Sequence, residues 1–513
     1  MNNRSICRAL CLAACAGSFA SLASAQVVSR ESVDGLGAGA TQGNGASTLA
    51  QLSIEGTSIV FRTTATNFSD GSSGVAANRI VRRNRTTGQV SMISGSGVGA
   101  SPPLSGEVPA FGVNTRPAFR GQSIAYSNDA DISGLCSDSN GLMDIYVGSG
   151  VPTPRTFAPG GICGTPSNGA SDNASMSIDS SVIAFDTFST TFSVGDTGTR
   201  DVYVMPAVGL VSYSKKSVTG SPLVGVTPGN GDSSNPAIAV TGGGTFTVFE
   251  SLANNLVTDT NGVRDIFVRI EPSGISFPST ARVSVGAGGA EANGASFNPD
   301  ISGASGRYVV FSSDATNLVS GDTNGVRDVF MHDRTSGTTR RLSVSKEGVQ
   351  GNAASDNPVV NVNGEWVAFQ STATNLVTNF GTAAGRSHVY LVHVPTGSVF
   401  LCDFNYTSQV EGSSGAFNPS IDETGLKVAF ESDATNLQSV LADTNGQRDV
   451  FVYTRGAIPG NDTCENAAGI SLGTVSGSTN GALPSLGLTI AGCANIADSP
   501  DVWYTFTSTC AGP

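Results

Sequence analysis

The chain has 513 residues, a formal charge of −13 and only 13% charged residues, so Gly, Ser, Thr and Asn carry much of its polarity. An acidic chain without a basic cluster excludes a nucleic-acid partner, whose phosphates demand lysine and arginine. The composition offers little for long helices and suits short strands joined by tight turns.

The first segment, "MNNRSICRALCLAACAGSFASLASAQ", carries Arg4 and Arg8, an apolar run, and Ala23-Ser24-Ala25 before Gln26. It reads as a secretory signal peptide over residues 1–25. Leu12-Ala13-Ala14-Cys15 also fits a lipoprotein cleavage box, which would anchor the chain through Cys15. No later stretch reaches the ~18 apolar residues of a transmembrane helix. The chain is therefore expected to be exported: periplasmic, at the cell surface or extracellular. Six cysteines follow the signal: Cys136, Cys163, Cys402, Cys464, Cys493 and Cys510. An even count in an exported chain points to disulfides, with Cys136–Cys163 as the expected bridge.

From residue 26 to 456 the chain repeats itself seven times, at a spacing close to sixty residues. One aromatic marks each copy: Phe61, Tyr126, Phe185, Phe249, Phe311, Phe369 and Phe430. In the clearest copy (293–344), "PDISGA", "YVVFSS", "DVFMHD" and "TTRRLSV" predict four strands, with Gly306 and Gly337 in the turns between strands one and two and strands three and four. A four-stranded antiparallel unit recurring at this period is a propeller blade. The seventh copy ends after its third strand, while residues 27–33 match the fourth strand that precedes the other copies. The N-terminal strand is thus expected to close the ring and remove its open edge. The fold class is all-β: a seven-bladed β-propeller closed by the N-terminal strand, then a small or truncated β-sandwich segment.

Pro299-Asp300, Gly306, Val309-Val310-Phe311 and Asp328-Val329-Phe330 follow in a fixed order that resembles the TolB-type, WD40-like (PD40) repeat of exported bacterial proteins. That resemblance implies the propeller and leaves activity open. Residues 457–513, with Cys464, Cys493, Cys510 and Asp501-Val502-Trp503-Tyr504, resemble the opening of a secreted β-sandwich module, and the chain stops soon after a strand.

Between strands two and three lies Asp-x-Asn-Gly-x-x-Asp, at Asp138/Asn140/Asp144, Asp259/Asn261/Asp265, Asp322/Asn324/Asp328 and Asp443/Asn445/Asp449. Asp, Asn and carbonyl oxygens on a Gly-bent loop could hold Ca²⁺. The alternative is turn chemistry: Asn-Gly is a favoured turn pair, and Asp and Asn side chains cap backbone N–H groups. The motif is lost in two copies, where Arg79 and His388 replace the last aspartate, and this favours the structural reading. No cofactor is required, and Ca²⁺ remains the one candidate. His388 and His393 are five apart on one strand, so they point to opposite faces as blade residues.

No serine-hydrolase elbow, P-loop or dinucleotide fingerprint occurs, and no catalytic or cofactor-binding residue stands out. The expectation is a monomeric, non-enzymatic propeller that binds a protein or glycan on its loop-rich, acidic face. The alternatives are a polysaccharide-acting enzyme using aspartates in the channel, or a surface protein stabilised by Ca²⁺.

Overall fold

The computed structural model describes residues 26–69, 79–93, 118–120, 123–128, 140–148, 153–156, 166–193, 196, 198–221, 225–377, 382–438 and 443–455, and the backbone pairing of 468–470 with 504–506. The signal segment, Cys15, Asp138 and the Cys136–Cys163 pair lie outside the described residues, as do Cys464, Cys493 and Cys510.

Period-two strands with an aromatic at a fixed register build seven four-stranded antiparallel sheets. In blade five the strands are Ser296–Ile301, Tyr308–Ser313, Asp328–Asp333 and Thr338–Arg341. The first begins before Pro299 because a bulge between Phe297 and Asp300 lengthens it. Blade seven takes Ala416–Ile421, Lys427–Ser432 and Asp449–Thr454 from the end of the repeat and Val27–Arg30 from its start. Val27 pairs with Thr454 and Arg30 with Phe451, so the ring closes through the N-terminal strand as expected. The parallel pair Ala468–Ile470 and Tyr504–Phe506 is the described part of the C-terminal segment.

The marker aromatics stand opposite a second ring on strand three. Phe249–Phe267, Phe311–Phe330 and Phe430–Phe451 are stacked cross-strand pairs 5.8–6.1 Å apart at their centroids. All six of these rings are fully buried between blades. Such pairs supply apolar burial together with a favoured geometry.

Backbone bonds lace the blades together. At each junction whose residues are described, the opening N–H of one blade's first strand donates to the carbonyl just before the preceding blade's third strand. Ser233 N bonds Arg200 O, Ser355 N bonds Arg327 O, and Ser47 N bonds Arg448 O across the closure, all at 2.7–2.8 Å. On the opposite face, turn glycines sit on the preceding blade. Gly364 (φ +81°) and Gly425 (φ +69°) would place a Cβ 2.2 Å from Tyr308 and 2.3 Å from Trp366, so no larger residue fits.

Candidate functional site

The loops that suggested calcium share one plan in the four blades that carry the motif, most completely in blades two, four and five. Asn261 donates its amide to Asp265 (2.8 Å) and to Ala292 O (3.1 Å), while its oxygen accepts from Val263 N (3.0 Å). Asn324 repeats this with Asp328, Gly351 O and Val326 N. Asn140 does so with Asp144, Ser167 O and Leu142 N. Asn445 donates to Gly43 O and accepts from Gln447 N. The amide oxygen that would meet a metal is engaged in an Asx turn.

A side-chain cation occupies the carboxylates. Arg282, on the fourth strand of blade four, lies 3.2 Å from both Asp259 and Asp265, whose side chains are 2% and 0% exposed. Arg341 bridges Asp322 (3.0 Å) and Asp328 (3.2 Å) in blade five. Lys215 bridges Asp196 and Asp201 at 2.8 Å in blade three. In blade seven, Arg30 meets Asp449 (3.0 Å), and Gln42 spans Asp443 and Asp449. The four cations share one register, opposite the strand-three aromatic: Phe267↔Arg282, Phe330↔Arg341, Tyr203↔Lys215 and Phe451↔Arg30. The copies that lost the aspartate lack the cation too. Blade one pairs Val81 with Met92, and blade six pairs Tyr390 with Leu401. In blade two this register holds Pro154. Among the described residues, no cluster of three or more His, Cys, Asp or Glu could hold a metal.

A hydroxyl two residues after the cation completes the clasp. Ser284, Ser343, Ser217 and Ser32 donate to Asp265, Asp328, Asp201 and Asp449 at 2.5–2.6 Å. Blade six exchanges these roles. His388 replaces the aspartate and Asp403 the serine, with Nδ1 2.7 Å from Asp403 and Nε2 3.6 Å from Glu411. Burial lowers the affinity of His388 for its proton, but the Asp403 hydrogen bond and the charges of Asp403 and Glu411 outweigh this and raise its pKa. His393, at the other end of the strand, packs on Trp366 at 4.4 Å. Cys402 is buried and unpaired, so it takes no part in a bridge.

A second feature went unread in the sequence. At the bulge in the first strands of six blades sits a left-handed residue: Leu49, Asn173, Asn235, Asn298, Asn357 and Asn418, with φ of 50–55°. Asn tolerates this conformation better than other residues with a side chain. Together they line an axial cavity of about 500 Å³. Three bulges are held by the blade before them: Asn235 N donates to Asp186 (2.9 Å), Asn298 N to Glu250 (2.9 Å) and Asn418 N to Gln370 (3.0 Å), whereas Asn173 N and Asn357 N bond to the preceding aspartates of their own strands, Asp172 and Asp356, at 2.8 Å. Asn298 also donates to Asn357 Oδ1 at 2.8 Å, which begins a carboxamide chain around the wall. The recurring Asn-Pro at 235, 298, 357 and 418 was the available signal.

At the mouth of this channel, arginines that precede the third strands meet carboxylates. Arg200 lies 2.7 Å from Asp186 and 4.0 Å from Asp172, which face each other across the first two strands of blade three. Burial lifts Asp186 to about 7 against the pull of Arg200, Asn173 and Asn235. Burial also raises Asp172, opposed by bonds from Ser127 and Asn173 N. Arg264 holds Glu250, and Arg327 holds Asp314 and Asp356 at 2.9 Å each. The loop face is thus less acidic than its composition implied, because much of its carboxylate is buried and paired.

Seven laced sheets closed by a strand from the other end of the repeat define a β-propeller. The repeat is TolB-like: Pro299-Asp300, Gly306, Val309-Val310-Phe311 and Asp328-Val329-Phe330 fall on strand, turn, strand and strand in that order. Known structures similar to this chain include an oligogalacturonate lyase in complex with manganese (11% identity, 85% of this chain and 94% of that one, TM-score 0.47). TolB from Acinetobacter baumannii is similar at 14% identity over 72% and 67% of the two chains, TM-score 0.36. A puromycin-hydrolyzing peptidase of Mycobacterium tuberculosis is similar at 11% over 79% and 53%, TM-score 0.45. No protein-family profile and no curated protein matches the chain. The expected non-enzymatic binding role is corrected here. A lyase and a peptidase stand among the propeller structures this chain is similar to, and the fold by itself assigns no activity. Among the described residues, no helix is long and apolar enough to cross a membrane.

Proposed function

We propose that this propeller is an exported carbohydrate-acting enzyme whose working site is the mouth of the axial channel. A rigid wall of carboxamides offers paired donors and acceptors with little net charge, which suits the hydroxyl groups of a glycan. The observation that carries the reading is the Asp172–Asp186 pair, opposed on adjacent strands beside channel-lining Asn173 and sharing Arg200. Asp172 is the partly exposed member, with 17% of its side chain accessible, and is the group that exchanges a proton with substrate. Asp186, fully buried behind it, is a positioning residue: it sets the Arg200 charge and holds the bulge of the next blade. A carboxyl raised above its ordinary value keeps its proton to higher pH than an exposed aspartate, which suits a proton donor. Calcium in the loops of blades four, five and seven has no part in this reading, because arginine already neutralises those carboxylates.

The test is incubation of the secreted protein with a panel of neutral and uronic-acid glycans, reading new chain ends. Wild type is expected to form product from at least one. Asp172→Asn is expected to lower the rate at least 100-fold with an unchanged melting point. No product from any glycan, or an Asp172→Asn rate equal to wild type, overturns the reading.

A further inference from the structure

The mouth of the channel is not uniform. In blades three, four, five and seven an arginine precedes the third strand: Arg200, Arg264, Arg327 and Arg448. These side chains cover the loop end of their sheets. Arg327 lies 4.1 Å over Phe297 and Arg448 4.8 Å over Phe417, each ring being on the first strand of the same blade. Blade six lacks both large groups. Ser387 stands where the arginine belongs, and Asp356 stands where blades five and seven carry phenylalanine. Gln370 takes the place of the carboxylates Glu250 and Glu431.

The result is a recess of about 400 Å³ between blades five and six, with Arg327 and Asp314 on one side, Gln370 and Thr372 below, and Ser387 at the vacated end. Its polar groups are paired donors and acceptors. The Arg327 guanidinium is set by Asp314 and Asp356, and Gln370 spends its oxygen on Asn418 N, so that its amide NH₂ is the group left to donate to a ligand. The recess is continuous with the channel wall, since Asp356 Oδ1 accepts from Asn298 Nδ2 at 3.0 Å and Asn357 follows it in the chain.

We propose that this recess is a sugar-binding subsite that holds one or two residues of a glycan whose chain continues into the axial channel. The proposal rests on the carbohydrate reading above and names where its substrate is gripped. A volume of this size suits a small ligand. Carboxylate, guanidinium, amide and hydroxyl groups rim a hollow whose open surface is mostly apolar, which suits a sugar: its hydroxyls donate and accept at the rim while its C–H faces meet the apolar surface. In blades three, four, five and seven arginine fills this space, so restoring it is a conservative way to close the subsite.

The experiment compares wild type with Ser387→Arg, which blades three, four, five and seven show to be compatible with the fold. Ser387→Lys is a second filler, and Thr335→Arg, in the exposed turn between the third and fourth strands of blade five, is the added-charge control. Binding of neutral and uronic-acid hexasaccharides is followed by saturation-transfer NMR and titration, and product formation is followed alongside. Binding of at least one hexasaccharide is expected to weaken 10-fold or more in both filled variants, and to stay within 2-fold in Thr335→Arg. The steady-state signature is a raised KM with kcat retained. If wild type binds and turns over a glycan while the filled variants match it, the subsite is wrong and the channel-mouth reading stands. If wild type neither binds nor turns over any glycan, that reading fails and the subsite fails with it.

Discussion

Replacing Arg282 tests whether the loop carboxylates belong to a protein cation or to a metal. In Arg282→Ala the guanidinium 3.2 Å from Asp259 and Asp265 is gone, and two carboxylates with 2% and 0% exposure are left facing each other. Removing one partner of a buried pair typically costs about 3–5 kcal/mol, because a desolvated charge is left uncompensated. Asp265 already feels burial as a raised pKa, so it is the group expected to take up a proton in the variant. Hydrogen exchange over Asp265–Pro272 should rise by the corresponding factor, about 10²–10⁴, if opening is local. Adding Asp259→Asn should recover much of the loss by removing the repulsion. The variant should also gain a calcium response absent from the wild-type blade. With a Kd in the range of about 10⁻⁴–10⁻³ M, 10 mM Ca²⁺ would restore roughly 1.4–2.7 kcal/mol. Hydrogen exchange of blade-four peptides, with EDTA and with Ca²⁺, reads both effects. Protection of wild-type blade four that falls with EDTA and returns with Ca²⁺, or an Arg282→Ala protein exchanging like wild type, would refute the assignment.

Deleting residues 26–34 removes the strand paired with Asp449–Thr454 and leaves Asp449 without Arg30 and Ser32. The product is expected to aggregate through the bared edge, and a monodisperse monomer with the parent melting point would count against closure. Gly364→Ala combines a left-handed backbone with a Cβ 2.2 Å from Tyr308 and is expected to cost about 2–4 kcal/mol. Gly337→Ala, with φ +68° and open space around it, should lose only about 1–2 kcal/mol in the same denaturant melts. Stability should fall as pH rises from about 4 to 8. Asp186 titrates near 7 in the fold against an ordinary 3.8, so over that interval the folded chain holds a proton that the unfolded chain has released. Asp449, raised to about 6 by burial, acts in the same sense. The stabilisation from protonated His388, complete below its ordinary 6.5, is lost as pH rises through its raised folded value. Asp186→Asn and His388→Asn should each flatten the melting-point profile, and a wild-type profile that climbs from pH 5 to 8 would reverse the argument.

What could be read in the sequence was whatever repeats locally. The aromatic register, the Gly turns and the N-terminal closing strand all follow from patterns within a few residues. The clasp was harder to see, because its cation and its aspartates sit on different strands and meet only through cross-strand register. Its trace is nonetheless present: Arg282-Val283-Ser284, Arg341-Leu342-Ser343, Lys215-Lys216-Ser217 and Arg30-Glu31-Ser32 are one motif, cation-x-Ser. Read beside the loops, it supplies the charge that a metal would otherwise have to bring. The asparagine ring was missed for a different reason. A period-two reading cannot anticipate a bulge, and the bulge is what turns these side chains to the axis.

A repeat protein separates what the fold requires from what function requires. The features shared by most blades, namely clasp, aromatic pair, lacing bond and held bulge, maintain the ring, and the ring tolerates loss of the clasp cation in blades one, two and six because the lacing bonds persist there. Chemistry is therefore best sought where blades depart from the shared pattern. Among the described residues, blade three alone opposes two aspartates on its first two strands. Blade six has exchanged the clasp for His388 and Asp403, the covering arginine for Ser387 and the bracing carboxylate for Gln370. The His388–Asp403 pair carries out the clasp's structural duty without a fourth-strand cation: Asp403 still accepts from Val389 N at 3.1 Å, the bond that Ser284 makes to Ile266 N in blade four. With its clasp maintained by other means, blade six is free to give up the arginine at its mouth, and the recess is what that freedom leaves.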